Sequence, residues 1–195
     1  MFKKSILPIL LMLGCGSCNP DESETAEEIS PITWEECSYE VGDHPCDFTL
    51  KDQDGNDWTL YDSYGSIIIL DFSTEWCGYC QLAASESETF RAQYINDDVL
   101  YITIMIEDRY GDSPPAEDII DYWVEYFGIT EPVLSGDRTM LDSTGETGWP
   151  VAAWPTFFIV NRDMTLHEKM QGYSGATLMT IIDGMLVEES TTSDP

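Results

Sequence analysis

An α/β fold with a central mixed β-sheet and helices on both faces is what this sequence predicts, on three observations. Ser66–Phe72 and Val99–Ile106 are near-continuous apolar runs, the pattern of strands buried on both sides. The stretches after them carry apolar residues at helical spacing. The chain then ends in a strand, a turn, a returning strand and a final helix. At 195 residues and 43% hydrophobic content, the chain can bury one sizeable core and carry some extra sequence.

Taken in order, the N-terminus reads as a targeting segment. Lys3 and Lys4 precede a short apolar stretch, Ile6–Leu13, too short to cross a bilayer as a helix. Met12-Leu13-Gly14-Cys15 resembles the lipobox of bacterial lipoproteins, which implies cleavage before Cys15 and lipidation of that cysteine. An ordinary cleaved signal near Gly16-Ser17 is the alternative. Either places the mature protein outside the cytoplasm, in the cell envelope facing the periplasm or secreted, where disulfides persist. Residues 1–14 are therefore expected as signal peptide, and 15–33, rich in Asp, Glu, Ser and Thr, as a flexible acidic tether. The folded domain is expected over 34–190, and 191–195 as a disordered tail.

Within the domain, Phe48-Thr49-Leu50 and Trp58-Thr59-Leu60 read as two strands around the turn Asp52-Gln53-Asp54-Gly55. Ser66–Phe72 is a central strand. A helix is expected from Cys77 to about Asn96, with Leu82, Ala83, Phe90 and Tyr94 inward. Val99–Ile106 is the next strand. Pro114-Pro115 precedes a helix to about Phe127, proline suiting a first helical turn, that presents Ile119, Ile120, Trp123 and Phe127, and Gly128 closes it. Val133–Trp154 has no assignable pattern. Thr156–Val160 and Thr165–Gln171 are strands joined by the turn Asn161-Arg162-Asp163. Ala176 to about Glu189 is the last helix.

The formal net charge is −29. Nucleic acid is excluded as a partner, because binding it requires clustered Lys and Arg. The acidity reads as a solvated surface. No calcium-loop motif is present in the sequence.

Chemistry concentrates in Trp76-Cys77-Gly78-Tyr79-Cys80. Two thiols three positions apart could be half a zinc site, an inert bridge or a redox pair. Zinc would need two further ligands from Cys37, Cys46, His44 and His167, none of which repeats the spacing. Cys77 falls where a helix begins, and the free N–H groups there stabilise a thiolate. Cys80 lies one turn on, within reach of a disulfide. Asp71, six residues before Cys77, sits inside an apolar strand, where burial should raise its pKa and suit it to proton transfer with Cys80. Pro155 stands directly before a buried strand, a position that suggests a kink, with a cis bond as one way to make it. Pro150, after Trp149, is the competing position.

Asp71-Phe72-Ser73-Thr74-Glu75-Trp76-Cys77-Gly78-Tyr79-Cys80 resembles the active-site segment of thioredoxins, and Trp154-Pro155-Thr156 before an apolar strand resembles their cis-proline loop. Asp47-Phe48-Thr49-Leu50, Asp54-Gly55 and the strand holding Leu60 resemble the extracytoplasmic TlpA/ResA-type proteins of the redoxin group. The resemblance implies a thioredoxin-like fold with an N-terminal hairpin and an inserted strand and helix. It implies a thiol–disulfide oxidoreductase without an organic cofactor or metal, exchanging with protein disulfides or dithiols and with a redox donor it does not identify. In it Cys77 is the nucleophile, Cys80 resolves the mixed disulfide and Asp71 transfers the proton. Pro155, Trp154, Trp76 and Thr156 are expected to line the substrate groove. Three positions depart from the pattern: Tyr79 stands where thioredoxin has proline, Gln81 where it has lysine, and Ala83 where ResA-like proteins have glutamate. They leave the direction of exchange open, toward reduction, oxidation or isomerisation.

Two other families are weighed against this one. A peroxiredoxin-like peroxidase is favoured by Thr74, three residues before Cys77, and opposed by Leu70 where that family has proline. A Sco-like copper chaperone needs a wider cysteine spacing. Cys37 and Cys46 are expected to pair as a structural disulfide. Cys18 has no assigned state, and His44 reads as a loop residue. Membrane contact is expected through the lipid alone, and a monomer is expected.

Overall fold

The computed structural model describes residues 32–192. The signal segment, Cys15, Cys18, most of the tether and residues 193–195 lie outside the described residues. No helix among the described residues is long and apolar enough to cross a membrane.

The first element is an antiparallel hairpin of β1 (Thr49–Lys51) and β2 (Asp57–Thr59). Asp52 closes its turn, its Oδ1 accepting from the N–H of Asp54 at 2.9 Å and of Asn56 at 2.8 Å. Gly55 has φ +77°, a conformation open to glycine. Leu60, expected to extend the second strand, instead starts a short 3-10 turn, Leu60–Ser63. The Tyr61 N–H donates to Asp47 Oδ1 there, and Leu60 turns into the core.

The main sheet contains β3 (Ile67–Thr74), β4 (Val99–Glu107), β5 (Val133–Ser135), β6 (Thr156–Val160) and β7 (Leu166–Gln171), in the order β5-β4-β3-β6-β7. β3 is parallel to β4 and β4 to β5, whereas β6 is antiparallel to both β3 and β7. All eight residues of β3 are buried, as a continuous apolar run at the sheet centre requires. β5 lies in the stretch without an assignable pattern, because three residues are too few to show a period.

Side chains along β3 and β4 alternate between two cores. Ile67, Ile69 and Tyr101 face α1 (Gly78–Gln93) and α3 (Gly175–Thr192), packing with Ala83, Phe90, Leu178 and Ile182. Further along the same face, Met105 and Val133 meet Ile120 and Trp123 of α2 (Glu117–Phe127). Ile68, Leu70, Phe72, Ile102 and Ile104 face the other way. Helices therefore lie on both faces, but unevenly. The three α-helices share one face, and only the 3-10 turns Leu60–Ser63 and Arg138–Met140 join the hairpin and loops on the other.

Several boundaries differ from expectation. Leu82 is exposed, because α1 turns Ala83, Ala84, Ser87 and Phe90 inward. α2 starts at Glu117, after both prolines, since Pro115 disfavours helical backbone at Pro114. Gly128 ends it in the left-handed conformation, φ +69°. α3 runs to Thr192 rather than Glu189, no Gly or Pro following Glu189 to stop it.

Trp149 anchors the non-α-helical face. It is 1% exposed, and its ring lies 4.8–5.3 Å from those of Tyr39, Phe72 and Phe158. A hydrogen bond from the Trp149 N–H to the Met140 carbonyl, 2.8 Å, holds its loop. A Cβ on the preceding Gly148 would lie 2.6 Å from that carbonyl oxygen and 3.1 Å from the Asp142 nitrogen. These are backbone atoms, which cannot swing aside as a side chain can. Gly148→Ala is expected to cost about 1–3 kcal/mol, seen as a lower midpoint in denaturant unfolding; an unchanged midpoint would show that the loop yields freely.

Candidate active site

The chain leaves the buried strand β3 at Thr74 and enters α1 four residues later. Cys77 is the N-cap of that helix, with extended backbone (φ −84°, ψ 117°). Its Sγ accepts the N–H of Cys80 at 3.2 Å. An N–H aimed at the sulfur, at the positive end of a 16-residue helix, stabilises negative charge on it. Cys77 and Cys80 are joined as a disulfide, with Cα atoms 5.2 Å apart. Cys77 is 6% exposed and Cys80 0%, so an incoming group meets Cys77 first.

Asp71 lies on the α1 face of β3, in step with Ile67, Ile69 and Ser73. It is 1% exposed. Ser73 Oγ donates to its Oδ1 at 2.7 Å and Tyr101 Oη to its Oδ2 at 3.0 Å. Burial pushes its carboxyl up to about 7, against the opposing pull of the Ser73 and Tyr101 hydrogen bonds. Burial first, and then the charge and hydrogen bond of Asp71, push the Tyr101 phenol well above its usual range. A hydrogen bond to the charged form holds a carboxyl pKa down, so Tyr101→Phe is expected to raise that of Asp71 further. The check is the carboxyl stretch of Asp71 followed by infrared titration; a midpoint that stays put or falls would contradict it.

The Trp154–Pro155 bond is cis. Phe72 pairs with Thr156, which places Pro155 beside the end of β3 from which the chain runs to Cys77. Trp154 is half-buried and packs on the cluster that contains both cysteines. The structure thus gathers Cys77, Cys80, Trp154 and Pro155 at one end of the sheet. Trp76, on the rim, is 49% exposed. Thr156 is fully buried, and its Oγ1 donates to the Ala153 carbonyl at 2.7 Å, which braces the proline loop.

The sequence reading missed the ionic frame around the motif. Glu75 is buried and ion-paired with Arg109, and it also accepts the Arg109 N–H at 2.9 Å. Glu107 is buried too; its Oε2 accepts the Trp76 indole N–H at 2.9 Å and its Oε1 pairs with Arg138 at 2.8 Å. The signal was scarcity: with 8 basic residues against 37 acidic ones, each arginine is a candidate for a specific partner.

Cys37 and Cys46 form a disulfide with Cα atoms 4.8 Å apart. The loop it closes pairs with the start of β7, through the Gly42 N–H to the Leu166 carbonyl and the Leu166 N–H to the Asp43 carbonyl, each 2.8 Å. His44 belongs to that loop and stacks on Trp34 with ring centroids 3.6 Å apart. His167 sits on β7. Among the described residues, no group of three or more His, Cys, Asp or Glu is placed to hold a metal ion.

Comparison with known proteins agrees with this arrangement. Residues 41–169 match the AhpC/TSA family. The chain is 22% identical over 169 residues to the thioredoxin-like protein YneN of Bacillus subtilis, covering 86% of this chain and 89% of that one. A putative thiol:disulfide interchange protein DsbE from Chlorobium tepidum superposes with a TM-score of 0.59 at 22% identity, over 77% of this chain and 98% of the other. A putative protein disulfide isomerase from Bacteroides thetaiotaomicron gives 0.62 at 20% identity, over 81% and 98%. The match spans well over half of the chain, so the chain belongs to the AhpC/TSA family, and it carries its paired cysteines at a helix N-terminus on a thioredoxin-like fold.

Proposed function

We propose that the protein exchanges the Cys77/Cys80 dithiol and disulfide with cysteines of polypeptides outside the cytoplasm. The observation that carries this reading is the asymmetry of the pair: Cys77 on a helix N-cap with 6% of its surface open, Cys80 fully buried behind it. In the reducing direction the Cys77 thiolate attacks one sulfur of a substrate disulfide. That S–S bond breaks, one substrate sulfur leaves as thiolate, and a mixed disulfide forms. Asp71 takes the proton of Cys80, whose sulfur attacks Cys77 Sγ and releases the second substrate sulfur. The substrate gains two electrons, and the protein is left as the disulfide. Oxidation of a dithiol is the same path reversed, and the redox partner that resets the pair is a protein or small thiol outside this chain.

Pro155 and Trp154 are assigned to the groove that receives substrate backbone, Trp76 to its rim, and Cys37–Cys46 to stapling the start of the domain to the sheet. The location rests on the signal-like N-terminus. Anchoring rests on Cys15, which lies outside the described residues. The test is reduction of a disulfide-bonded polypeptide such as insulin by the reduced protein, with the potential of the pair measured in the same preparation. A potential near roughly −270 mV makes it a reductant and one near −120 mV an oxidant; no exchange at all would overturn the reading.

One observation favours a second reading, a thiol peroxidase. Thr74 Oγ1 is buried and has no hydrogen-bond partner among the described residues. It lies three residues before Cys77, where a peroxide oxygen bound to the sulfur could use it. Rapid stoichiometric oxidation of the reduced protein by hydrogen peroxide would establish that activity, and slow oxidation would exclude it.

A further inference from the structure

Next to the motif, a pocket of about 270 Å³ opens between Glu75, Trp76 and Gln81 on one side and α2 on the other. α2 contributes Tyr122, Trp123, Tyr126 and Phe127, and Arg109 completes the wall. Three of its aromatic side chains are unusually open, Tyr122 at 43%, Tyr126 at 67% and Trp76 at 49%, while Trp123 is buried behind them. Solvated aromatics gathered round one concavity on a strongly acidic protein mark a recognition surface more than a core. The pocket is continuous with the reactive site, since Trp76 is bonded to Cys77 and Gln81 to Cys80. The Gln81 amide donates to the Glu75 carbonyl at 2.8 Å, which ties the two ends of the motif into the wall.

We propose that this pocket receives a large uncharged apolar side chain, aromatic or long aliphatic, that flanks the reacting cysteine of a polypeptide substrate. The inference rests on the exchange reading above and specifies its substrate. Charge selects the occupant. Glu75 already has its countercharge in Arg109, so neither is left to bind an ion. A cationic side chain would meet the Arg109 guanidinium, which lies 5.8 Å from the Tyr122 ring centroid. An anionic one would meet Glu75 and the field of a chain with net charge −29. Size fits as well: a dry apolar cavity of roughly 150 Å³ already holds benzene. Trp123, one of the walls, carries a buried indole N–H without an acceptor among the described residues.

The experiment compares two short disulfide-linked peptides that differ only in having Phe or Ser on either side of the cysteine, with hydroxyethyl disulfide as a substrate too small to reach the pocket. The wild-type protein is expected to exchange with the Phe peptide at least roughly tenfold faster, in kcat/KM, than with the Ser peptide. Tyr126→Ser, an exposed position that leaves the Arg109–Glu75 pair intact, should erase most of that preference and leave the hydroxyethyl disulfide rate unchanged. Tyr126→Phe, which keeps the aromatic wall, should restore it. Equal rates on the two peptides, or a preference that survives Tyr126→Ser, would overturn this inference while the exchange reading stands. Silence toward all three disulfides would overturn the exchange reading and this inference with it.

Discussion

Cys80→Ser is expected to turn the protein into a trap: incubated with a disulfide-bonded polypeptide, it should accumulate a covalent adduct through Cys77. Cys77→Ser should form no adduct, and its turnover should fall to the uncatalysed background. The difference follows from position. Cys77 caps α1 and reaches the surface, and the Cys80 N–H stabilises its sulfur. Cys80 has no exposed surface, so it is expected to act only after Cys77 has brought a substrate sulfur to it. Removing Cys80 leaves the first displacement intact and stops the second. Removing Cys77 leaves a buried thiol that substrate cannot reach. Non-reducing electrophoresis of the two variants reads both outcomes. Equal adduct formation by both, or adducts through Cys80 alone, would reverse the assignment.

The placement of the two cysteines was legible in the sequence because its parts are local. A helix start after an apolar strand put Cys77 on the N-cap, and the three-residue spacing put Cys80 one turn deeper. Asp71 stood out for the same reason, as a carboxylate inside a strand with no other polar residue before Ser73. Its hydrogen-bond partners divide instructively. Ser73 could be found by the two-residue period of a strand, which puts it on the Asp71 side. Tyr101 could not, because it comes from β4 and its place follows from the register that sets Ile69 against Tyr101 and Asp71 against Thr103. The ionic frame failed for a similar reason. Arg109 and Arg138 are separated by 34 and 31 residues from the glutamates they hold, and no local pattern carries a pairing of that range. Trp149 shows a third limit: the loop around it has no period, yet it fills the centre of the face that α-helices leave open. Which helix takes which face is set by topology. β3-α1-β4 and β4-α2-β5 step in the same direction across the sheet, and right-handed crossovers taken in one direction put their helices on one face.

Asp71→Asn joins these strands of argument, since it should improve stability and impair function at once. The carboxyl titrates near 7 in the folded protein, against 3.8 as its ordinary value. The folded state therefore binds the proton more tightly than the unfolded one between those limits. Stability is full below about pH 3.8, falls as pH rises and levels off above about pH 7. The difference in affinity corresponds to roughly 4 kcal/mol of destabilisation by the ionised group at pH 8. Asn carries no charge to desolvate, and its amide oxygen can still accept from Ser73 or Tyr101. At pH 8 the variant should thus be more stable than the wild type by up to about 4 kcal/mol, with the gap closing toward pH 4. Catalysis should move the other way. Ionised Asp71 can accept the Cys80 proton and neutral Asn cannot, so resolution of the mixed disulfide should slow by about a hundredfold or more. The inflection near pH 7 in that step should vanish as well. Single-turnover release of substrate from the Cys77 adduct, followed across pH 5–9, measures the second effect, and denaturant unfolding at the two ends of the range measures the first. A variant less stable than wild type at pH 8 would mean that Asp71 is held ionised by partners whose net effect outweighs its burial. An unchanged release rate would mean that the proton of Cys80 leaves by another route. The two outcomes are independent, so the buried charge and the proton transfer are tested separately in one substitution.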